Sequence, residues 1–298
     1  MKQFWSFLFF ASVLLAPPAS SLCGQAAPTV QAKHCLWKVQ GKTNSVYLFG
    51  SIHFLKKEFY PLPAPIEEAY KKSGVVVFEI DLEESESLES QRKVAKVSKV
   101  PADETLKQHL SKATYDRLEA YLTNSGVPGN ALDAYRPWVA AVALLEIELQ
   151  KLGYNPKQGV DRYFQAKAEK DHKEVVALET LDFQLSLFTG LVKSEQEAML
   201  NETLEEISSF KELISEMIRA WQAGEAETLS RFTLEHMRAF PVLEKKLLLD
   251  RNKNWVGSLE KLLQGEKDVF VVVGAAHMVG TDSVVDLLKK KGFKIEQL

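Results

Sequence analysis

Two histidines and two glutamates follow directly on short apolar runs. Val46-Tyr47-Leu48-Phe49 leads into Gly50-Ser51-Ile52-His53, and Val75-Val76-Val77-Phe78 into Glu79. Val175-Val176-Ala177-Leu178 leads into Glu179, and Val269-Phe270-Val271-Val272-Val273 into Gly274-Ala275-Ala276-His277. Imidazole plus carboxylate is the donor set of a divalent transition metal such as Zn, Mn, Fe or Co. Two His with one or two Glu leave positions open for water and substrate, and a metal there acts as a Lewis acid. Without a metal, the same groups form an acid–base pair. Gly-x-x-His occurs after the first run and again after the last. Gly50 and Gly274 permit a tight turn and close backbone approach at those points.

Each residue also has a plainer reading. A strand-end Glu is commonly a cap or an ion-pair partner; Glu79 reads as functional because Asp81 adds a second carboxylate on the same strand face. Glu179 is equally a cap for a helix starting near Thr180. Asp161 caps its helix or supports the site, and the residues do not separate these. On spacing alone Arg251, with Asn252 beside it, reads as a surface ion pair with Asp250 or Glu260. His109 and His236 read as surface positions, His172 as a turn residue.

The elements that must position these groups are short and Val-rich, as buried strands are. Long helical stretches separate them, which calls for crossover connections and a largely parallel sheet. Ligands in such sheets sit outside the carboxyl ends of the strands, so the four strand ends are expected to converge. Cys35 to Val39 reads as a lead-in strand and Phe293 to Glu296 as a final one. Helices are expected over Ile66–Lys72, 82–98, Ser111–Asn124, Arg136–Leu152, Gly159–Lys170, most of 181–263 and from Thr281 or Asp282 to Lys291. The predicted class is α/β: a small, mostly parallel sheet built from the N- and C-terminal parts, with a large helical insertion over about 82–265. A single domain over 28–298 is expected.

The first residues stand apart. Lys2, an apolar stretch to Ala16 and then Pro17-Pro18 read as a secretory signal spanning 1–27. The stretch is shorter than the ~20 residues of a comfortable membrane span. Export to a periplasmic or secreted location is expected, with membrane anchoring if the signal stays, and no later integral membrane segment. Cys23 and Cys35 are the only cysteines; an exported compartment permits a pair, while cleavage after Ala27 removes Cys23.

With 298 residues, 46% hydrophobic and 26% charged, the chain has an ordinary globular composition. A net charge of −3 without a basic stripe gives no footprint for nucleic acid. His-Glu-x-x-His, Gly-x-Ser-x-Gly, phosphate-binding Gly-rich loops and the dinucleotide fingerprint are all missing from the sequence.

The order of motifs resembles the TraB/GumN family, which includes the Tiki proteins. The matching pieces run from Tyr47-Leu48-Phe49-Gly50-Ser51-Ile52-His53 and Val77-Phe78-Glu79-Ile80-Asp81 through Glu104–Leu110, Arg136-Pro137-Trp138 and Gly159-Val160-Asp161. They continue with Ala177-Leu178-Glu179-Thr180, Gln184, Asp250-Arg251-Asn252, Val273-Gly274-Ala275-Ala276-His277, Leu287-Leu288 and Gly292-Phe293. The resemblance implies a metal-dependent protease, with Mn or Co as metal, and His53, His277 and Glu79 as ligands or catalytic groups. It also raises Glu179, Arg251 and Asn252 to site residues. The wider fold resembles that of erythromycin esterases and haem-binding ChaN proteins. The expected function is therefore an exported metal-dependent hydrolase, most simply a peptidase, with Arg251 steadying an oxyanion. The alternatives are a non-catalytic haem- or peptide-binding protein and a metal-free His/Glu esterase. Substrate and oligomeric state are not readable from the sequence.

Overall fold

The computed structural model describes residues 33–237 and 241–298, with the side chains of 233–240 left undescribed. The expected signal segment, Cys23 and the His236 side chain therefore lie outside the described residues. Six strands form one sheet: β1 Leu36–Gln40, β2 Ser45–Ser51, β3 Val75–Phe78, β4 Glu174–Ala177, β5 Val269–Gly274 and β6 Ile295–Gln297. Their spatial order is β4-β3-β5-β2-β1-β6. β2, β5, β3 and β4 run parallel, while β1 is antiparallel to both of its neighbours. Parallel strands covered on both faces must be apolar throughout, and β2, β3 and β5 are buried at every residue.

The helices, in chain order, are α1 Ala64–Lys72, α2 Leu82–Ser85, α3 Leu88–Ser98, α4 Lys112–Asn124, α5 Pro137–Lys151, α6 Val160–Lys170 and α7 Leu181–Thr189. They continue as α8 Lys193–Glu206, α9 Phe210–Gln222, α10 Ala226–Met237, α11 Pro241–Glu244, α12 Asp250–Leu262 and α13 Val284–Lys290. The fold is mixed α/β with a mostly parallel sheet, as the strand and helix patterns predict. β4 falls inside the expected helical insertion and divides it in two. The charged 82–98 stretch is two helices, because Ser87 breaks the run and caps α3 by accepting from the Ser90 amide.

Core packing locks α6 onto the sheet. Phe164 on α6 meets Phe270 of β5 and Phe49 of β2 with ring centroids 4.8 and 5.8 Å apart. These contacts fix the first turn of α6 beside the end of β2, which matters because that turn carries Asp161. On the other side, β5 forms parallel pairs with both β2 and β3, with Phe49 and Phe78 both opposite Val272. The ends of β2, β3 and β5 are therefore level, and the residues that follow them emerge together.

Candidate functional site

His53 follows β2, Glu79 follows β3, Glu179 follows β4 and His277 sits in a 3-10 turn, Ala275–His277, directly after β5. A β-carbon built on Gly274 would lie 3.2 Å from His53 Nε2, 3.3 Å from Glu79 Oε1 and 3.7 Å from His277 Cδ2. Three strand ends thus meet around the space left by one missing methyl group. Gly274 has φ −50° and ψ 136°, a conformation open to any residue. Its use is space, and its N–H donates to Glu79 Oε1 at 2.7 Å. Gly50 serves close approach instead: a β-carbon there would come within 3.0 Å of the Ala275 α-carbon.

Both imidazoles are held at Nδ1. His53 Nδ1 lies 2.7 Å from Asp161 Oδ2, and Ser51 Oγ donates to Asp161 Oδ1 at 2.7 Å. His277 Nδ1 lies 2.7 Å from Asn252 Oδ1, and the same amide's Nδ2 donates to the Asp282 carbonyl at 2.9 Å. That second bond fixes the amide with its oxygen towards the ring, so His277 carries its proton on Nδ1 and presents an Nε2 lone pair. Nδ1 held by a side-chain oxygen with Nε2 turned inward is the arrangement by which metal-binding histidines are oriented.

The third layer of the site is Arg251, from the first turn of α12. Its Nη2 donates to Glu79 Oε2 at 2.5 Å and to Glu179 Oε2 at 2.8 Å, and its Nε lies 3.0 Å from both Glu179 oxygens. Nη1 lies 3.2 Å from His277 Nε2 and 3.1 Å from the carbonyl of Leu247. Leu247 belongs to a π-helical turn, Lys245–Leu249, ahead of α12. Such turns are frequent at functional sites. Trp255, one turn on, packs against His277 with the rings tilted by 44° and their centroids 4.3 Å apart, lies under the guanidinium at 4.8 Å and donates its N–H to Glu179 Oε1 at 2.8 Å. Gln184 Nε2 adds a 3.2 Å bond to Glu179.

Burial decides the charge states. The side chains of Arg251, Glu79 and Glu179 are only 3%, 4% and 5% exposed, while His53 and Asp161 reach 15% and 11%. His53 is therefore the least enclosed of these five side chains. Burial pushes the Glu79 carboxyl above its usual range, and the Arg251 and His53 charges pull against that shift. Burial also works to lower His53, but the charge and hydrogen bond of Asp161 outweigh it, and its pKa stands above the ordinary value. Burial works to raise Asp161, yet His53 and Ser51 hold it below. His277, desolvated and facing Arg251, is pushed well below the ordinary value and stays neutral.

Several expectations change at this point. Asp81 does not share a strand face with Glu79, since β3 ends at Phe78; it is the N-cap of α2 and accepts from the Glu84 amide. The cap ahead of α7 is Thr180, which leaves the Glu179 carboxylate to pair with Arg251 rather than to join the cluster at Gly274. Arg251 is not paired with Asp250 or Glu260, which bond Lys245 and Lys291. Nor does it face an open oxyanion position: two buried strand-end carboxylates demand a counter-charge, and the guanidinium is turned to them. Asp161 is not the N-cap of α6, which is Gly159, and its carboxylate holds His53. His109 is not a surface residue but a half-buried partner of Glu104. Sequence reasoning passed over Trp255 and Ser51; the i, i+4 spacing of Arg251 and Trp255 was the available signal.

The donors suit a first-row divalent ion by type: His53 Nε2 and Glu79 Oε1 border the Gly274 space, with His277 Cδ2 at its edge and the His277 Nε2 towards Arg251. The set is not closed, however. Among the described residues no three His, Cys, Asp or Glu side chains form a group that could hold a metal ion. Arg251 stands on the His277 and Glu79 side of the cluster, where the third donor would act.

Comparison with known proteins agrees with this arrangement of motifs. The chain is 24% identical over 335 residues to "Metalloprotease TIKI homolog" of Nematostella vectensis, covering 92% of this chain and 69% of the relative. It is 24% identical over 243 residues to "Uncharacterized protein YbaP" of Escherichia coli K12, covering 82% and 87%. It is 21% identical over 358 residues to "Metalloprotease TIKI1" of Homo sapiens, covering 98% and 69%. No solved structure matches the chain. Residues 35–297 match the model of the TraB/PrgY/gumN family, and the chain belongs to that family.

Proposed function

We propose that this chain is an exported, metal-dependent hydrolase that cleaves peptide bonds. The observation that carries the reading is the meeting of His53 Nε2 and Glu79 Oε1 over Gly274, 3.2 and 3.3 Å from one point, with the His277 ring at its edge. Relatives named metalloproteases support it. His53 and His277 would hold a Mn, Co, Zn or Fe ion through their Nε2 atoms, with Glu79 Oε1 completing the set. A divalent ion so held supplies Lewis acidity towards a substrate carbonyl.

The chain's own groups do the rest. Asp161 fixes the His53 ring, and Ser51 fixes Asp161. Asn252 keeps the Nε2 lone pair of His277 inward. The Gly274 amide and the Arg251 guanidinium hold the two oxygens of the Glu79 carboxylate in place. A carboxylate aimed into the cluster favours hydrolysis over haem binding, which calls for an apolar cleft. Export rests on the N-terminal sequence; among the described residues no helix is long and apolar enough to cross a membrane.

The test is hydrolysis of a mixed peptide library by Mn-loaded protein, read by mass spectrometry. Cleavage that is lost with a chelator and in His53→Ala supports the reading. Cleavage indifferent to both, or none at all with any of the four metals, refutes it.

A further inference from the structure

We propose that Arg251 is an internal counter-cation that competes with the divalent ion for Glu79 and His277, and that Glu179 is the dock onto which the guanidinium withdraws when an ion is seated. The inference rests on the metal-dependent reading above.

The geometry is specific. One guanidinium touches two of the three groups that would hold the ion: Glu79 Oε2 at 2.5 Å and His277 Nε2 at 3.2 Å. An Nε2 lone pair that accepts from Nη1 is not available to a metal, and a carboxylate that bonds a guanidinium at this distance binds a second cation less well. The other side of Arg251 is anchored independently. Its Nε reaches both Glu179 oxygens at 3.0 Å, and Glu179 is in turn held by Trp255 at 2.8 Å and Gln184 at 3.2 Å. Glu179 is not among the nearest groups around Gly274, so it keeps a claim on Arg251 that an ion in the niche does not contest.

Charge counting points the same way. Among the described residues Asp161 is paired with His53, while Glu79 and Glu179 are two carboxylates that share the one guanidinium of Arg251, a negative surplus that a divalent ion offsets. Without an ion, the forked shape of Arg lets a single side chain span Glu79, Glu179 and His277 together, which the point charge of Lys does not do. The arrangement accounts for donors that are oriented for a metal yet do not close around one.

The experiment is calorimetric titration of MnCl2 into the chelator-stripped protein, compared across variants. In Arg251→Gln with Glu179→Gln, one positive and one negative charge leave together, so the cluster keeps its net charge and loses only the competitor. That variant should bind Mn about tenfold or more tightly than wild type, while Glu179→Gln alone, which leaves Arg251 to Glu79, should bind several-fold more weakly. Arg251→Lys covers the case in which the double variant fails to fold: it retains the charge, cannot bridge, and should bind roughly threefold or more tightly. Unchanged or weaker binding by the folded double variant, or by Arg251→Lys, overturns the inference while leaving the metal reading intact. If no protein in the series binds Mn, Co or Zn, the metal reading itself falls and this inference with it.

Discussion

His53 Nδ1 and Asp161 Oδ2 lie 2.7 Å apart although 108 positions separate them in sequence. One follows β2 and the other sits in the first turn of α6, and the Phe49–Phe164–Phe270 packing beneath sets their separation. Among the described residues of the cluster this pair is the least enclosed, with side chains 15% and 11% exposed.

Asp161→Asn should lower the His53 pKa and cost about 10–100-fold in metal affinity, as the loss of a carboxylate behind a metal-binding His does. Asp161 holds His53 above 6.5, so that contribution to stability is full below 6.5 and fades as pH rises through the folded-state value. His53 in turn holds Asp161 below 3.8, a contribution full above 3.8 and lost as pH falls through its folded-state value. The stability deficit of Asp161→Asn should therefore be largest between pH 3.8 and 6.5 and shrink in alkali. Thermal melts across pH check this; a deficit that grows above pH 8 contradicts it.

Gly274→Ala separates space from fold. The backbone there accepts Ala, and the swap alone is worth about 0.4–1 kcal/mol in favour of folding through the unfolded chain. The new methyl group would press on His53 Nε2 and Glu79 Oε1 at 3.2 and 3.3 Å. We expect Tm to move by only a few °C while Mn binding and peptide cleavage fall at least about tenfold. Retained binding with an ordered fold would show that the niche is not where the ion sits.

Arg251→Ala should be costly, since it strands two buried carboxylates. Removing one partner of a buried pair costs roughly 3–5 kcal/mol. Arg251→Ala with Glu79→Gln and Glu179→Gln should recover much of that loss. Denaturant melts of the three proteins decide it; a triple variant less stable than the single one would mean that packing, not charge, is what Arg251 supplies.

Glu206, away from the site at the end of α8, is buried beside Glu202 and Glu205, and burial followed by those neighbours raises its pKa from 4.5 to about 9. A raised carboxyl costs nothing below its unfolded value; the cost accumulates from pH 4.5 towards about 9. Glu206→Gln should thus be neutral near pH 4.5 and stabilising at pH 8 by on the order of 1–2 kcal/mol, a few °C in Tm, after allowing for screening. Destabilisation at pH 8 would refute that reading.

Much of this arrangement was legible in the sequence because strands announce themselves locally. Val-rich runs mark β2, β3 and β5, and a parallel sheet brings their ends together, so His53, Glu79 and His277 were found from pattern alone. Asp81 was misplaced because two residues of irregular chain after Phe78 undo a strand's alternation. Trp255 was invisible as a site residue, and Arg251 entered only through the family resemblance, for a different reason. A helix face is assigned by periodicity, and periodicity does not say that a charged residue on α12 turns inward to neutralise glutamates 72 and 172 positions away. Asp161 stayed ambiguous because a carboxylate in a helix's first turn has a local explanation at hand; only the packing of α6 against β2 and β5 removes it.

The central claim is that His53, Glu79 and His277 bind one divalent ion. Elemental analysis after loading purified protein with Mn, Co, Zn or Fe tests it most directly, alongside His53→Ala and His277→Ala carried through the same desalting. The account predicts about one ion per chain in the wild type and a loss of most of it in both variants. Equal metal content in all three proteins, or none in the wild type with any of the four metals, would contradict it.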